Sequence, residues 1–293
     1  MMGDQAERLR EIVDAQGGRA ETSKAKKTRV IAVTSGKGGV GKTNLSINIA
    51  IAYSKLGKKV LVLDADLGLA NVNVMMGVIP KHNLYHVVRK QKEMKDIIVE
   101  TPYGIQIVAG ASGFSRIANL SEDERQHFVN EFTTLSDADI IIIDTSAGVG
   151  SNVLAFVGAA DDAVIITTPE PTAITDAYGI IKTISVEIDD LDMGIKLVVN
   201  RVSSITEAKK VAHRVVDIAG QFLNVKLDYL GFVYEDPTVQ AAVRKQQPFF
   251  VVDQYGRASQ CIQHIVGRLE NVNFKEGGEL SRFIRRLFGR VNS

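Results

Sequence analysis

The chain has 293 residues, 45% of them hydrophobic and 24% charged, enough apolar material for one large core or two ordinary ones and too much for extensive disorder. Lys and Arg number 35 against 34 Asp and Glu, a net charge of +1, so the molecule as a whole is not drawn to nucleic acid. One cysteine, Cys261, excludes a disulfide framework and an all-cysteine metal or iron–sulfur site within one chain; no apolar run approaches the ~20 residues that cross a bilayer, and the polar N-terminal stretch is no secretory signal, which points to the cytoplasm.

In chain order, residues 4–16 have the spacing of a short helix with Ala6, Leu9, Ile12 and Val13 roughly on one face. Residues 17–28, GGRAETSKAKKT, are small, polar and basic without periodicity, and read as a linker. From Val30 the pattern changes to short β-branched runs at residues 30–34, 60–64, 105–110, 140–144, 163–168, 195–200 and 228–234, separated by longer amphipathic stretches. Most of these runs are continuously apolar rather than alternating, which suits strands covered on both faces. The expected architecture is therefore α/β: a single doubly wound, mostly parallel sheet with helices on both faces, spanning residues 29–273. Residues 1–28 precede it as leader and linker, and residues 274–293 follow as a tail. After Gly277 and Gly278, the tail places Leu280, Phe283, Ile284, Leu287, Phe288 and Val291 on one helical face. The opposite face carries Arg282, Arg285, Arg286 and Arg290.

The first run leads into Gly36-Lys37-Gly38-Gly39-Val40-Gly41-Lys42-Thr43, followed by Asn44, which matches the phosphate-loop pattern G-x-x-x-x-G-K-[ST] in its required strand-to-helix context. Glycines let backbone amides turn inward around phosphate oxygens, and the helix starting near Lys42 adds its positive end. Lys42 is expected to reach the β- and γ-phosphates of ATP, and the Thr43 hydroxyl to ligate Mg²⁺. Two other runs end in carboxylates. One leads into Asp64-Ala65-Asp66-Leu67-Gly68-Leu69-Ala70-Asn71, the other into Asp144-Thr145-Ser146-Ala147-Gly148. Both lie where open α/β sheets place ligands, although either could be a plain strand end or helix cap. Asn200-Arg201 ends a later run and could equally be a turn. Glu170, in the Pro169-Glu170-Pro171 loop, is a further candidate for the nucleotide's edge.

The second lysine, Lys37, makes the loop KGGVGKT, which resembles the deviant Walker A ATPases, the family of MinD, ParA and the nitrogenase iron protein. The resemblance runs from about residue 30 to 260. It implies that Lys37 reaches across a dimer to the partner's nucleotide and that Asp66 orients the attacking water. Asp64 then supports the Mg²⁺ shell together with Thr43 and Asp144, and Gly148 lets its loop respond to the γ-phosphate. It also implies that Asn200 hydrogen-bonds adenine, with Arg201 near the base. The cluster-bridging cysteines of the nitrogenase type are missing, so a reductase is not expected.

The tail combines arginines with phenylalanines in a way that suits an anionic bilayer surface, though the same apolar face could pack on the domain. The leader string Asp4-Gln5-Ala6-Glu7-Arg8-Leu9-Arg10 resembles the N-terminus of the FlhG family, also called FleN or YlxH. That resemblance implies an ATPase controlling flagellar number and placement, cytoplasmic and peripheral on the inner face of the membrane when ATP is bound. It implies a homodimer in the ATP state, flagellar basal-body or C-ring partners and an FlhF-type GTPase. Gln5, Leu9 and Arg10 of the leader would stimulate that GTPase. No direct nucleic-acid contact is expected. A cell-division MinD, a ParA partitioning ATPase and an assembly or carrier protein remain open at this stage.

Overall fold

Each of the seven β-branched runs forms a strand. The computed structural model describes residues 28–66, 71–110, 121–188, 193–271 and Phe283. The strands are β1 (Arg29–Ser35), β2 (Val60–Ala65), β3 (Ile98–Glu100), β4 (Gln106–Val108), β5 (Ile140–Ala147), β6 (Asp162–Thr167), β7 (Gly194–Val202) and β8 (Leu227–Tyr234). The helices are α1 (Lys42–Lys55), α2 (Val72–Met75), α3 (Leu84–Val88), α4 (Met94–Ile97), α5 (Glu122–Thr133) and α6 (Ser151–Ala159), then α7 (Pro171–Glu187), α8 (Ile205–Leu223), α9 (Pro237–Arg244), α10 (Phe249–Val252) and α11 (Arg257–Asn271).

All eight strands join one sheet in the order β3-β4-β2-β5-β1-β6-β7-β8. Every neighbouring pair is parallel except β3 with β4. The doubly wound, mostly parallel expectation holds. Strand β3 is the addition: a short antiparallel edge for which the sequence reading had no run.

Continuous apolar strands feed two cores at once. Ile141 and Ile143 of β5 face α5, α6, α7 and α8, while Ile140 and Ile142 face α1 and α11. Helix α1 is buried nearly all round, with Leu45, Ile47, Ile49, Ala50, Ile51 and Tyr53 inaccessible. It lies beneath α11 and against the sheet, which explains why its sequence has no polar face. This fixes the residues at its first turn. No described helix is long and apolar enough to cross a membrane.

Tail residue Phe283 is only 2% exposed and stacks on Phe132 of α5, with ring centroids 5.2 Å apart. At this position the apolar tail face packs on the domain, the arrangement held open beside membrane contact. The other tail residues named above lie outside the described residues, as do Gln5, Leu9 and Arg10 of the leader.

Candidate functional site

The C-terminal ends of β1, β2, β5 and β7 bring the predicted site residues together. Strand β1 runs into the phosphate loop, which closes at Gly41 with φ 99°, just before Lys42 opens α1. No side chain caps that helix, so its first amides are available to an anion. A Cβ on Gly36 would collide with the backbone carbonyl of Asp176 in α7. Glycine is thus required where the loop passes under that helix.

Lys42 is buried, and its Nζ donates to Ser35 Oγ at 3.0 Å. Burial lowers its pKa, while Asp144 and Asp66 pull it back upward. Asp144 accepts from Thr43 Oγ1 at 2.6 Å and from Ser46 Oγ at 2.8 Å. Ser46 was absent from the sequence reading, although one helical turn after Thr43 puts both hydroxyls on the same face.

Asp64 and Asp144 are register partners on β2 and β5, both fully buried. Burial, aided by the neighbouring Asp144 charge, pushes the Asp64 carboxyl up to about 7. Burial likewise raises Asp144 to about 6, against the pull of the Thr43 and Ser46 hydroxyls and Lys42. Asp64 takes its hydrogen bonds from the backbone: Asp66 N at 3.0 Å, Asn71 N at 3.0 Å and Val72 N at 3.1 Å. The side chain of Asn71 in turn donates to Asp66 Oδ2 at 3.2 Å.

Among the described residues, no cluster of three or more His, Cys, Asp or Glu side chains could chelate a metal. A hydroxyl and a carboxylate, Thr43 and Asp144, are hard oxygen donors of the kind Mg²⁺ accepts when phosphate and water complete its shell. Asp144 and Asp66 act on the one ammonium of Lys42, and Asp64 crowds the same two carboxylates, an excess of acidic groups that a dication would offset. The residues present therefore fit Mg²⁺ carried in with a nucleotide.

Lys37 and Glu170, separate candidates in sequence, meet in space. Lys37 Nζ lies 2.6 Å from Glu170 Oε2 and 2.8 Å from Thr172 Oγ1, at the start of α7. The lysine holds the Glu170 carboxyl below its usual range. On the other flank, a cavity of about 630 Å³ is lined by Gly41, Asn44, Asn200, Arg201, Asp236 and Val239, among others. Its size suits a nucleoside. Asn200 donates from Nδ2 to Val40 O at 2.8 Å, beneath the loop. Arg201 adopts φ 58°, a left-handed conformation uncommon outside glycine.

The fold and site have counterparts. The AAA-domain family model matches residues 28–197. Antiactivator FleN of Pseudomonas aeruginosa is 36% identical over 265 residues, 88% of this chain and 93% of FleN. Flagellum site-determining protein YlxH of Helicobacter pylori is 36% identical over 270 residues, 92% of this chain and 90% of YlxH. Among solved structures, the MinC:MinD cell division protein complex of Aquifex aeolicus gives a TM-score of 0.68 at 28% identity, covering 85% of this chain and 98% of that one. Identity spread along nearly the whole length, on a sheet that presents a two-lysine phosphate loop, places the chain in the family of FleN and YlxH, the MinD/ParA-type P-loop ATPases that hydrolyse ATP.

Proposed function

We propose that this chain is a MinD-like ATP switch that dimerises with ATP, associates with an anionic membrane surface and regulates flagellar number or placement. The observation that carries this reading is Lys37, held at the rim of the phosphate loop by an exposed ion pair that a competing phosphate can replace. A γ-phosphate offers charge-assisted hydrogen bonds that ADP lacks, so ATP favours a dimer in which Lys37 reaches the partner's nucleotide. Lys42 and the first amides of α1 hold the phosphates. Thr43 and Asp144 would hold Mg²⁺, which when bound would supply positive charge to the phosphates. Asp66 orients the attacking water. Asn200 and Arg201 face the base from the adjoining cavity. The names of the two relatives, an antiactivator and a flagellum site-determining protein, support the flagellar assignment. The leader, through Gln5, Leu9 and Arg10, stimulates an FlhF-type GTPase, and the tail supplies the membrane contact.

Light scattering on the full chain tests the switch. Wild type with ADP should be monomeric, and Asp66→Ala with excess ATP should accumulate as a dimer. A monomeric Asp66→Ala protein that still binds ATP would sink the reading. Co-sedimentation with anionic liposomes, and GTP turnover by an FlhF-type GTPase with and without a peptide of residues 1–16, test the tail and leader separately.

A further inference from the structure

We propose that Asp64 and Asn71 are positioning residues for ATP hydrolysis, which together fix Asp66 through hydrogen bonds within the chain. Asp64 acts on the backbone rather than from the Mg²⁺ shell that family resemblance assigns to it. The proposal rests on the reading that Asp66 orients the attacking water.

The geometry forms a closed ring. Asp64 is the penultimate residue of β2 and its carboxylate is fully buried. One oxygen accepts from the amide of Asp66, which sets the backbone from which the Asp66 side chain projects. The other accepts from the amides of Asn71 and Val72, where α2 begins. Asn71 is thereby brought beside Asp66, and its side-chain amide donates to the Asp66 carboxylate.

A carboxylate has about four lone-pair sites, and three of those on Asp64 are met by amides of one segment. Asp144 differs, because its hydrogen bonds go to hydroxyls on α1 that belong to the phosphate side. The backbone of Asp64 is itself seated tightly, since a Cβ on Gly110 would collide with the Asp64 carbonyl. A water-orienting carboxylate needs a fixed direction more than a particular pKa, because phosphoryl transfer depends mostly on positioning. Asp64 fixes where Asp66 stands, and Asn71 fixes which way its oxygen points.

The test uses the full chain as Asp64→Asn, Asn71→Ala and Asp66→Ala, with two readouts. The first is steady-state ATP hydrolysis titrated against ATP and, separately, against Mg²⁺. The second is amide hydrogen exchange at residues 66, 71 and 72 without nucleotide. Asn71→Ala should lower kcat about tenfold, the scale of one charge-assisted hydrogen bond. Its KM for ATP and its half-saturating Mg²⁺ concentration should remain within about twofold of wild type, well inside that tenfold scale. Asp64→Asn should lower kcat further with the same split, and speed exchange at all three amides.

An Asp64→Asn protein whose rate recovers at high Mg²⁺ would place Asp64 in the metal shell and overturn the proposal. So would full kcat in Asn71→Ala, or unprotected amides in the wild type. If Asp64→Asn does not fold, Asn71→Ala and wild-type exchange still decide. If Asp66→Ala hydrolyses ATP normally, the assignment of Asp66 fails, while the exchange readout still reports on the hydrogen-bonded ring.

Discussion

Two clusters of charge occupy opposite ends of the same sheet, and they are built on opposite plans. At the C-terminal ends, Lys42 feels Asp144 and Asp66, and Asp64 lies beside those two carboxylates, so anions outnumber the cation. At the N-terminal ends, Arg29 donates twice to Asp162 Oδ2, at 2.8 and 2.6 Å, and once to Leu269 O at 3.0 Å. Lys196, 1% exposed, lies 3.3 Å from the other Asp162 oxygen and 3.7 Å from Asp228. The lower cluster is complete within the chain: each charge has an opposite beside it, and the arrangement ties β1, β6, β7, β8 and α11 together. The upper cluster holds an excess of like charge that folding alone does not relieve. Buried charge that is balanced serves the fold, whereas buried charge left unbalanced describes a ligand.

Breaking the balanced end should have the largest effect. Asp162→Ala leaves two buried cations without their shared partner, and removing one side of such a cluster costs about 3–5 kcal/mol. Chemical denaturation should record that loss, with ATP affinity of the remaining folded protein unchanged.

The unbalanced end should respond in the other direction. Asp144→Asn removes one of the crowded carboxylates while keeping groups that can bond Thr43 and Ser46. The nucleotide-free protein should melt at the same temperature or higher, while Mg²⁺-dependent turnover falls on the order of 100-fold. A large loss of stability would show that Asp144 is structural.

Acidity sharpens the contrast by a smaller amount. A carboxyl raised in the folded state from its ordinary value near 4 binds more protons folded than unfolded. Its contribution to stability is therefore greatest at low pH and declines as pH rises through the raised values, about 7 for Asp64 and about 6 for Asp144. Nucleotide-free protein should lose stability across that window, and Mg²⁺-ADP should add more stabilisation above it than below. Thermal melts at several pH values, with Asp144→Asn as the flatter control, measure this.

The smallest expected effect is at the rim. Glu170→Gln removes the charge that holds Lys37 within its own chain, an exposed pair worth at most about 1 kcal/mol. ATP-dependent dimerisation should strengthen by no more than about fivefold, which corresponds to that energy. Concentration-dependent light scattering would detect it, and a weakened dimer would mean that Glu170 contributes in the dimer itself.

Most of the sheet was legible because its strands are long runs of Ile and Val with no helical spacing. Strand β3 was not, since three residues carry no periodicity and its antiparallel pairing depends on a turn back to β4. The phosphate loop and the aspartates were legible because their chemistry is compressed into short strings. What escaped was pairing across distance. Lys37 with Glu170, Ser46 with Asp144 and Phe283 with Phe132 each depend on which strand ends and helices become neighbours. Asp64 illustrates a subtler limit: the string marks a carboxylate at a nucleotide site, but only coordinates reveal that it binds backbone amides.

The bond from Arg29 to Leu269 has a consequence for communication. It joins the start of β1 to the last turn of α11, so the attachment points of leader and tail sit together at the end of the sheet away from the phosphate loop. The seven residues of β1 separate that end from the loop by roughly 23 Å. A γ-phosphate is therefore out of reach of both attachment points. Any order it gives to them must pass as mechanical displacement through close-packed strands and helices, which makes the hydrophobic interior the path between the phosphate loop and the far end of the sheet.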